Sequence, residues 1–446
     1  TTATDNLNVA VGYDAGNAVT TGFYNTLIGG LAGDSLTDAD YNVAVGTVAL
    51  SADTLGSKST AIGYGTLDTQ NFTTATDSHN TAVGYNAGTA VTTGKQNTLV
   101  GGLAADALTT GTNNVAMGYL ALSTETAGDN SVAIGRSALG TQNTTTGGNI
   151  YNTAVGHAAG GAVTTGDSNT LIGGLAGDAL TEGDSNVAVG TGALGADTKG
   201  DRNIAIGAGT LESQNFSTKT DSYNIGVGHA AGSSVTTGVQ NTLIGGQAGD
   251  ALTDADFNVA VGMQALSADT LGSRSVAVGY GALTTQNFTT ATDAHNTAVG
   301  YLAGTAVTTG ANNTIIGASA GIALTSGTSN NLIGGLAGDA LTTGVSNNIM
   351  GVLCGTALTD ADYNVAIGQQ ALNADTLGST TVAIGSFALS SQNFTTATNS
   401  NNTAVGYAAG AAVTTGISNT FVGALAGDAN TTANDNSAFG KSSLSA

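Results

Sequence analysis

Asn8-Val-Ala-Val-Gly12, Asn25-Thr-Leu-Ile-Gly29 and Asn42-Val-Ala-Val-Gly46 stand 17 residues apart, and the phrase Asn-x-apolar-apolar-Gly runs on to Asn436-Ser-Ala-Phe-Gly440. It occurs 25 times. The glycine is present in every copy, and the anchor is Asn in 21, with Ser59, Ser131, Ser275 and Thr381 in the others. Of the 24 steps between anchors, 19 are 17 residues and five are 21. Three short steps and one long one form a 72-residue cycle that starts at Asn8, Asn80, Asn152, Asn224 and Asn296. Two extra 17-residue steps, with anchors Asn330 and Asn347, precede a partial cycle from Asn402. Domains joined by linkers could not hold this register. A solenoid requires it.

Each copy therefore reads as one coil of a parallel β-solenoid, about 25 coils in a single continuous repeat region over 1–446. The phrase alternates between two faces, as a strand must: Val9 and Val11 share one side, Ala10 takes the other. The glycine permits a corner or a positive φ. Three residues past it stands Ala in 21 coils, the exceptions being Thr66, Thr210, Cys354 and Ser443. A second apolar segment follows, as in Ala18-Val19 or Leu36, and two strands of about five residues are expected per coil. A single coil buries too few side chains to offset the entropy of ordering it, so coils must stack. The anchor asparagines (Asn8, Asn25, Asn42, Asn80, Asn97 and onward) are expected to form a ladder of amide hydrogen bonds between adjacent coils.

Both strand faces are apolar, and a strand apolar on both sides is normally covered on both. The stripe through Ala10, Leu27, Ala44, Ala61, Leu171, Leu243, Ile315 and Leu332 is expected to be left bare by so thin a roll and covered by other copies of the chain. Composition leaves open whether two or three chains meet there.

The rest of the composition narrows the class. Among 446 residues are 68 glycines but no proline or tryptophan, which excludes collagen, and 41% are hydrophobic, too many for simple disorder. Eight basic against 30 acidic residues, a net charge of −22, leave no footprint for nucleic acid or an anionic membrane. No apolar run is long enough to span a membrane. The single cysteine, Cys354, excludes a disulfide within the chain. The sequence opens at Thr1 already inside the repeat, with neither the basic nor the apolar region of a secretion signal, so a processed or truncated start is expected.

Asn203-Ile-Ala-Ile-Gly207, Asn130-Ser-Val-Ala-Ile-Gly135 and Asn364-Val-Ala-Ile-Gly368 resemble the head repeats of YadA-like trimeric autotransporter adhesins. Asn80-Thr-Ala-Val-Gly-Tyr-Asn-Ala-Gly, with Thr92-Thr93-Gly94 after it, looks still more like repeats of phage-type tail fibres. The likeness covers nearly the whole chain. It implies left-handed β-rolls packed side by side as a homotrimer, on the cell surface or the virion. The sequence departs from the adhesin heads in its longer coils. No neck, coiled-coil stalk, membrane anchor or chaperone domain is read in these residues, so adhesin and virion fibre both stay open.

The expected function is a structural fibre segment, extracellular or on the virion surface, that supports attachment to a host surface glycan or protein. It is expected not to be an enzyme. A self-polymerising extracellular filament and a polysaccharide-processing tail fibre are the alternatives.

Candidate sites are few. The 21-residue coils carry Gln70-Asn71-Phe72, Gln142-Asn143-Thr144, Gln214-Asn215-Phe216, Gln286-Asn287-Phe288 and Gln392-Asn393-Phe394. An amide beside an aromatic ring suits a glycan contact, although a phenylalanine folded back to plug the bulge is the reading favoured here. Asp38 and Asp40, Asp254 and Asp256, and Asp360 and Asp362 pair at turns, near Asp34, Asp53, Asp269 and Asp375. They are candidate calcium ligands, with solvated turn acids the favoured reading and no other cofactor expected. His79, His157, His229 and His295 are scattered coils apart, so a shared metal site is not expected. Cys354 reads as a small buried thiol. The pairs Thr20-Thr21, Thr92-Thr93 and Thr164-Thr165 do not make an ice-binding face, because the third and fourth coils of each cycle break them.

Overall fold

In the computed structural model, which describes residues 5–445, the chain is a parallel β-solenoid with no helix among those residues. It forms two compact units, 1–223 and 224–446, divided where the cycle starting at Asn224 begins. The first unit stacks twelve three-residue strands from Val9–Val11 to Ile204–Ile206, and the second stacks thirteen from Ile225–Val227 to Ser437–Phe439. Within each unit neighbours pair in parallel with the sequence repeat as register: Val9 sits beside Thr26 and Thr26 beside Val43, 17 residues apart. Thr60 sits beside Thr81, so the 21-residue coil returns to the same register.

Only one three-residue strand forms per coil, not two of about five. The remainder is a succession of turns bonded lengthwise to the next coil, as in Gly16 N–H to Ala32 O at 2.9 Å. Two-residue strands appear only where a 21-residue coil follows a shorter one, as in Gly56–Ser57 beside Thr76–Asp77. Counting from the anchor as position 0, the backbone turns to positive φ at −1, +4, +6 and +8, which a second extended strand could not accommodate. The glycine at +4 has φ near +140° (Gly12, Gly46 and Gly118 at 140°). That region is open essentially to glycine alone. A Cβ on Gly46 would also lie 2.2 Å from Gly63 O in the next coil. The positive φ holds in all 25 copies, and the close approach to the next coil adds to it in the stacked coils, whereas a Cβ on Gly440, with φ at 110°, would meet nothing within 4 Å.

Which face is inside corrects the sequence reading. The Ala/Leu stripe at +2 is the core itself: Leu27 is 1% exposed, and Ala44, Ala61, Leu171, Leu243, Ile315 and Leu332 are fully buried. The alanine at +7 and the residues at +8 and +11 close over it from the opposite wall. Leu27 at +2 faces Gly33 at +8, whereas Ala44 and Ala61 face Leu50 and Leu67. A Cβ on Gly33 would meet Leu27 Cδ2 and Leu36 Cδ1, each at 2.8 Å. Large thus opposes small across a core one side chain thick, the complementarity that close packing requires. The leucines at +8 occupy positive φ (54° at Leu50, 50° at Leu67), a strain of roughly 1–2 kcal/mol apiece that core filling offsets. The +1 and +3 residues, Val/Thr and Val/Ile, face outward.

Candidate functional site

The anchor amide does two jobs. Asn8 Nδ2 donates to Gly22 O at 2.8 Å, closing its own coil, and Asn8 Oδ1 accepts the backbone N–H of Asn25 at 2.7 Å, joining the next. Asn25 repeats this with Ala39 O (2.8 Å) and Asn42 N–H (2.9 Å). Asn42 reaches Gly56 O at 2.9 Å. Asn80 reaches Gly94 O at 2.8 Å and accepts from Asn97 N–H at 3.0 Å, and Asn97 continues to Gly111 O at 2.9 Å. The ladder runs mainly from side chain to backbone. Side-chain-to-side-chain links are fewer and longer, as between Asn25 Nδ2 and Asn8 Oδ1 at 3.2 Å. A second ladder escapes the sequence reading. Thr20 Oγ1 donates to Thr37 O (3.1 Å), Thr37 to Thr54 O (3.0 Å), and Thr54 to Asn71 Oδ1 (3.0 Å). One threonine of each Thr-Thr pair belongs to this column, its hydroxyl committed to the neighbouring coil.

The glycan-contact constellation is not assembled at the surface. Gln70, Gln214, Gln286 and Gln392 are fully buried, and Phe72, Phe216, Phe288 and Phe394 are only 6–7% exposed. Asn71, Asn215 and Asn393 are exposed and Asn287 partly so, each accepting from a threonine of the coil before. The phenylalanine fills the bulge made by the four extra residues. The glutamine lies at the core position +11, where the earlier coils of its cycle carry Val or Leu and the coil just before it carries an acid. Asp53 Oδ2 accepts from Gln70 Nε2 at 2.6 Å, and its Oδ1 accepts from the N–H groups of Gly56 (3.0 Å) and Phe72 (3.1 Å). Gln70 Nε2 also donates to Ser59 Oγ (2.9 Å), and Gln70 Oε1 accepts from Asn80 Nδ2 (2.8 Å). In four of these coils the anchor is Ser or Thr, whose hydroxyl accepts from the glutamine amide, whereas in the fifth Asn203 and Gln214 are buried together. In the second cycle the acid is Glu125 and the aromatic position is Thr144, whose N–H and hydroxyl both bond Glu125 Oε1 at 3.1 and 2.8 Å. Here the longer acid compensates for the smaller partner. Desolvation pushes the Asp53 and Asp197 carboxyls above the usual carboxylate value, against the hydrogen bonds from Gln70 and Gln214 that lower them.

The paired turn acids cap neighbouring coils. Asp38 accepts from the Thr21 hydroxyl, and Asp40 accepts from Phe23 N–H at 3.0 Å. Asp254 and Asp256 accept from Thr237 Oγ1 (2.7 Å) and Val239 N–H (2.8 Å). Asp360 accepts from Thr343 and Asp362 from Val345 N–H (2.8 Å). Among the described residues no group of three or more His, Cys, Asp or Glu is gathered to hold a metal. His79, His157, His229 and His295 are exposed at −1 or +5, on separate coils. Cys354 is buried, its thiol donating to Ala366 O (3.2 Å) and Ala371 O (3.4 Å), and burial pushes it up to about 12.

What remains is the outward sheet face. In each unit the +1 and +3 residues form a regular stripe of Val, Ile and Thr, half-buried to exposed, with Ile28, Ile62 and Ile172 at 38%. Exposed tyrosines border it at −1 and +5: Tyr24 stacks on Tyr41 (centroids 5.2 Å apart), and Tyr64 on Tyr85 (5.6 Å). At roughly 100 Å² per coil the stripe amounts to on the order of 1,200 Å² per unit, against about 300–600 Å² for the largest patch of a typical monomer. No helix among the described residues is long and apolar enough to cross a membrane. No family model matches the sequence, and no curated protein matches it.

Proposed function

We propose that the chain is a structural segment of an extracellular or virion-surface fibre or adhesin, working as a side-by-side assembly of copies joined through the outward Val/Ile/Thr face. The observation that carries this reading is that stripe. Its area per unit exceeds the ~800 Å² per partner of a standard stable interface, and its tyrosine borders are the residue type enriched where interfaces form. A second copy matches it without further design, because equal coil spacing lets every Val/Ile ridge meet its counterpart. The likeness of Asn203-Ile-Ala-Ile-Gly207 and its kin to adhesin head repeats supports three copies. In this role the polar ladders supply stiffness and protease resistance, since no coil opens without breaking bonds to both neighbours. The glycan or protein contacts of such a fibre would lie on the remaining exposed turns.

Sedimentation equilibrium of the purified chain tests the reading. The expected mass is three times 43.0 kDa, and it should fall toward one chain when Ile172, Ile206 and Val189 are replaced by lysine. A wild-type monomer at micromolar concentration would overturn it.

A further inference from the structure

A face that repeats every four coils has a weakness as an interface. Copies slid past one another by four coils still set β-branched Val, Ile and Thr against Val, Ile and Thr at most positions, and little in such a stripe distinguishes one alignment from the next. In the second unit that monotony is broken once. The +1 position carries Asn331 and Asn348 in two successive coils, where every other coil of this unit has Ile, Val or Thr, apart from Ser437. Both are half-buried, in strands Asn331–Ile333 and Asn348–Met350, and Asn331 Nδ2 donates to Asn348 Oδ1 at 2.6 Å. This pairing leaves the Asn331 oxygen and the Asn348 nitrogen available, an acceptor and a donor side by side in an apolar field. The same two coils, with anchors Asn330 and Asn347, are the ones that interrupt the cycle.

We propose that the Asn331–Asn348 pair is a register mark that aligns copies of this chain along the shared face; the inference rests on the self-association just argued. In aligned copies each free amide group meets the corresponding pair of its neighbour. In copies slid by four coils, about 19 Å at one strand spacing per coil, the pair is buried against Val, Ile or Thr. Each amide group left unpaired there weakens the slid arrangement by roughly tenfold or more. A single polar pair in an otherwise apolar interface is a known way to trade some affinity for one alignment.

The test uses the full chain with Cys354→Ala and a nitroxide label on Tyr407→Cys, an exposed border residue (57%) four coils from Asn331 and three from Asn348, outside the marked pair. Pulsed dipolar spectroscopy reads label-to-label distances between copies. The marked chain should give one short distance. Asn331→Val with Asn348→Val, which gives the pair the residue at Val365 of the next strand, should add longer distances corresponding to a four-coil slip while leaving the circular dichroism unchanged. Moving the mark, with Val259→Asn and Val276→Asn in that background, should restore a single distance. A single distance in the doubly valine variant overturns the register mark while leaving self-association standing, as does a mixture of distances in the marked chain. No distance between copies in the marked chain overturns both. A variant that fails to fold is replaced by Asn331→Thr with Asn348→Thr, read in the same way.

Discussion

Gly173 and Gly174 are adjacent in sequence and opposite in circumstance. Gly173 lies at +4 with φ at 137°, and a Cβ on it would sit 2.6 Å from Gly190 O, a backbone atom of the next coil. Gly174 has no positive φ, and a Cβ there would meet nothing within 4 Å. Gly173→Ala thus adds backbone strain of roughly 1–3 kcal/mol and a steric overlap of about 1–3 kcal/mol that only a shift of the coil relieves. Together they cost about 2–6 kcal/mol, confined to the coils on either side because each coil touches only its neighbours. Gly174→Ala should be neutral or stabilise by about 0.4–1 kcal/mol through the unfolded chain. Native-state hydrogen exchange is the suitable assay, since an array of coils need not unfold in one step. The amides to follow are Gly190 N–H, bonded to Ile172 O at 2.8 Å, and Thr170 N–H, bonded to Asn186 O at 2.8 Å. Their exchange should accelerate by about thirtyfold to about twenty-thousandfold in Gly173→Ala, at tenfold per about 1.4 kcal/mol, and stay unchanged or slow by up to about fivefold in Gly174→Ala. Equal effects of the two substitutions would refute the argument that conformation and the close approach of coils, not glycine content, select the residue at +4.

Three further outcomes are expected. Phe72→Thr should destabilise its coil by about 2–4 kcal/mol, and adding Asp53→Glu should recover a measurable part, as in the Glu125–Thr144 pair; additive losses in the double-mutant cycle would count against compensation. The folded chain holds the Asp53 and Asp197 carboxyls above their unfolded value of 3.8. Their contribution to stability is therefore greatest below that value and is lost as pH rises through the folded pKa, so the urea midpoint should be higher near about pH 4.5 than near about pH 7.5. Asp53→Asn with Asp197→Asn should flatten that slope, and a midpoint that falls on acidification would contradict it. Cys354, with its thiol at about 12 and no exposure, should resist thiol reagents in the native chain and react fully in denaturant, while Cys354→Ala, which empties the sulfur's buried volume, should lower stability by about 1–2 kcal/mol.

The coil boundaries are legible in the sequence because spacing alone carries them: one inserted residue would reverse every side chain of a strand. The inward face is not, because alternation defines two faces without saying which is inside, and here both are apolar. The signal lies in a correlation across the coil. Leu27, Leu171 and Leu243 at +2 go with Gly33, Gly177 and Gly249 at +8, while Ala44 and Ala61 go with Leu50 and Leu67. Such an exchange of bulk makes sense only if the two positions share one confined space. The same column logic places the loop glutamines. Gln70 holds the +11 position that Val19 and Leu36 hold in earlier coils, so it points inward although its neighbours read as an exposed polar loop. The thin second wall, built of turns and not a strand, was hidden because left-handed backbone at Leu50 or Leu67 contradicts local preference and is imposed by stacking.

A tape of near-identical windings invites a folding error in which one winding is skipped and its neighbours close over the gap. The buried acid and glutamine at +11 guard against it. Asp197 Oδ1 accepts from Gly200 N–H of its own winding, but its Oδ2 accepts from Gln214 Nε2 of the next, which also brings the Phe216 N–H to Oδ1. A skipped winding would seat a carboxylate against leucine or valine, and removal of a partner from a buried charge costs about 3–5 kcal/mol. The polar couples thus act as periodic checkpoints, letting a chain of look-alike windings keep count of itself once in every cycle.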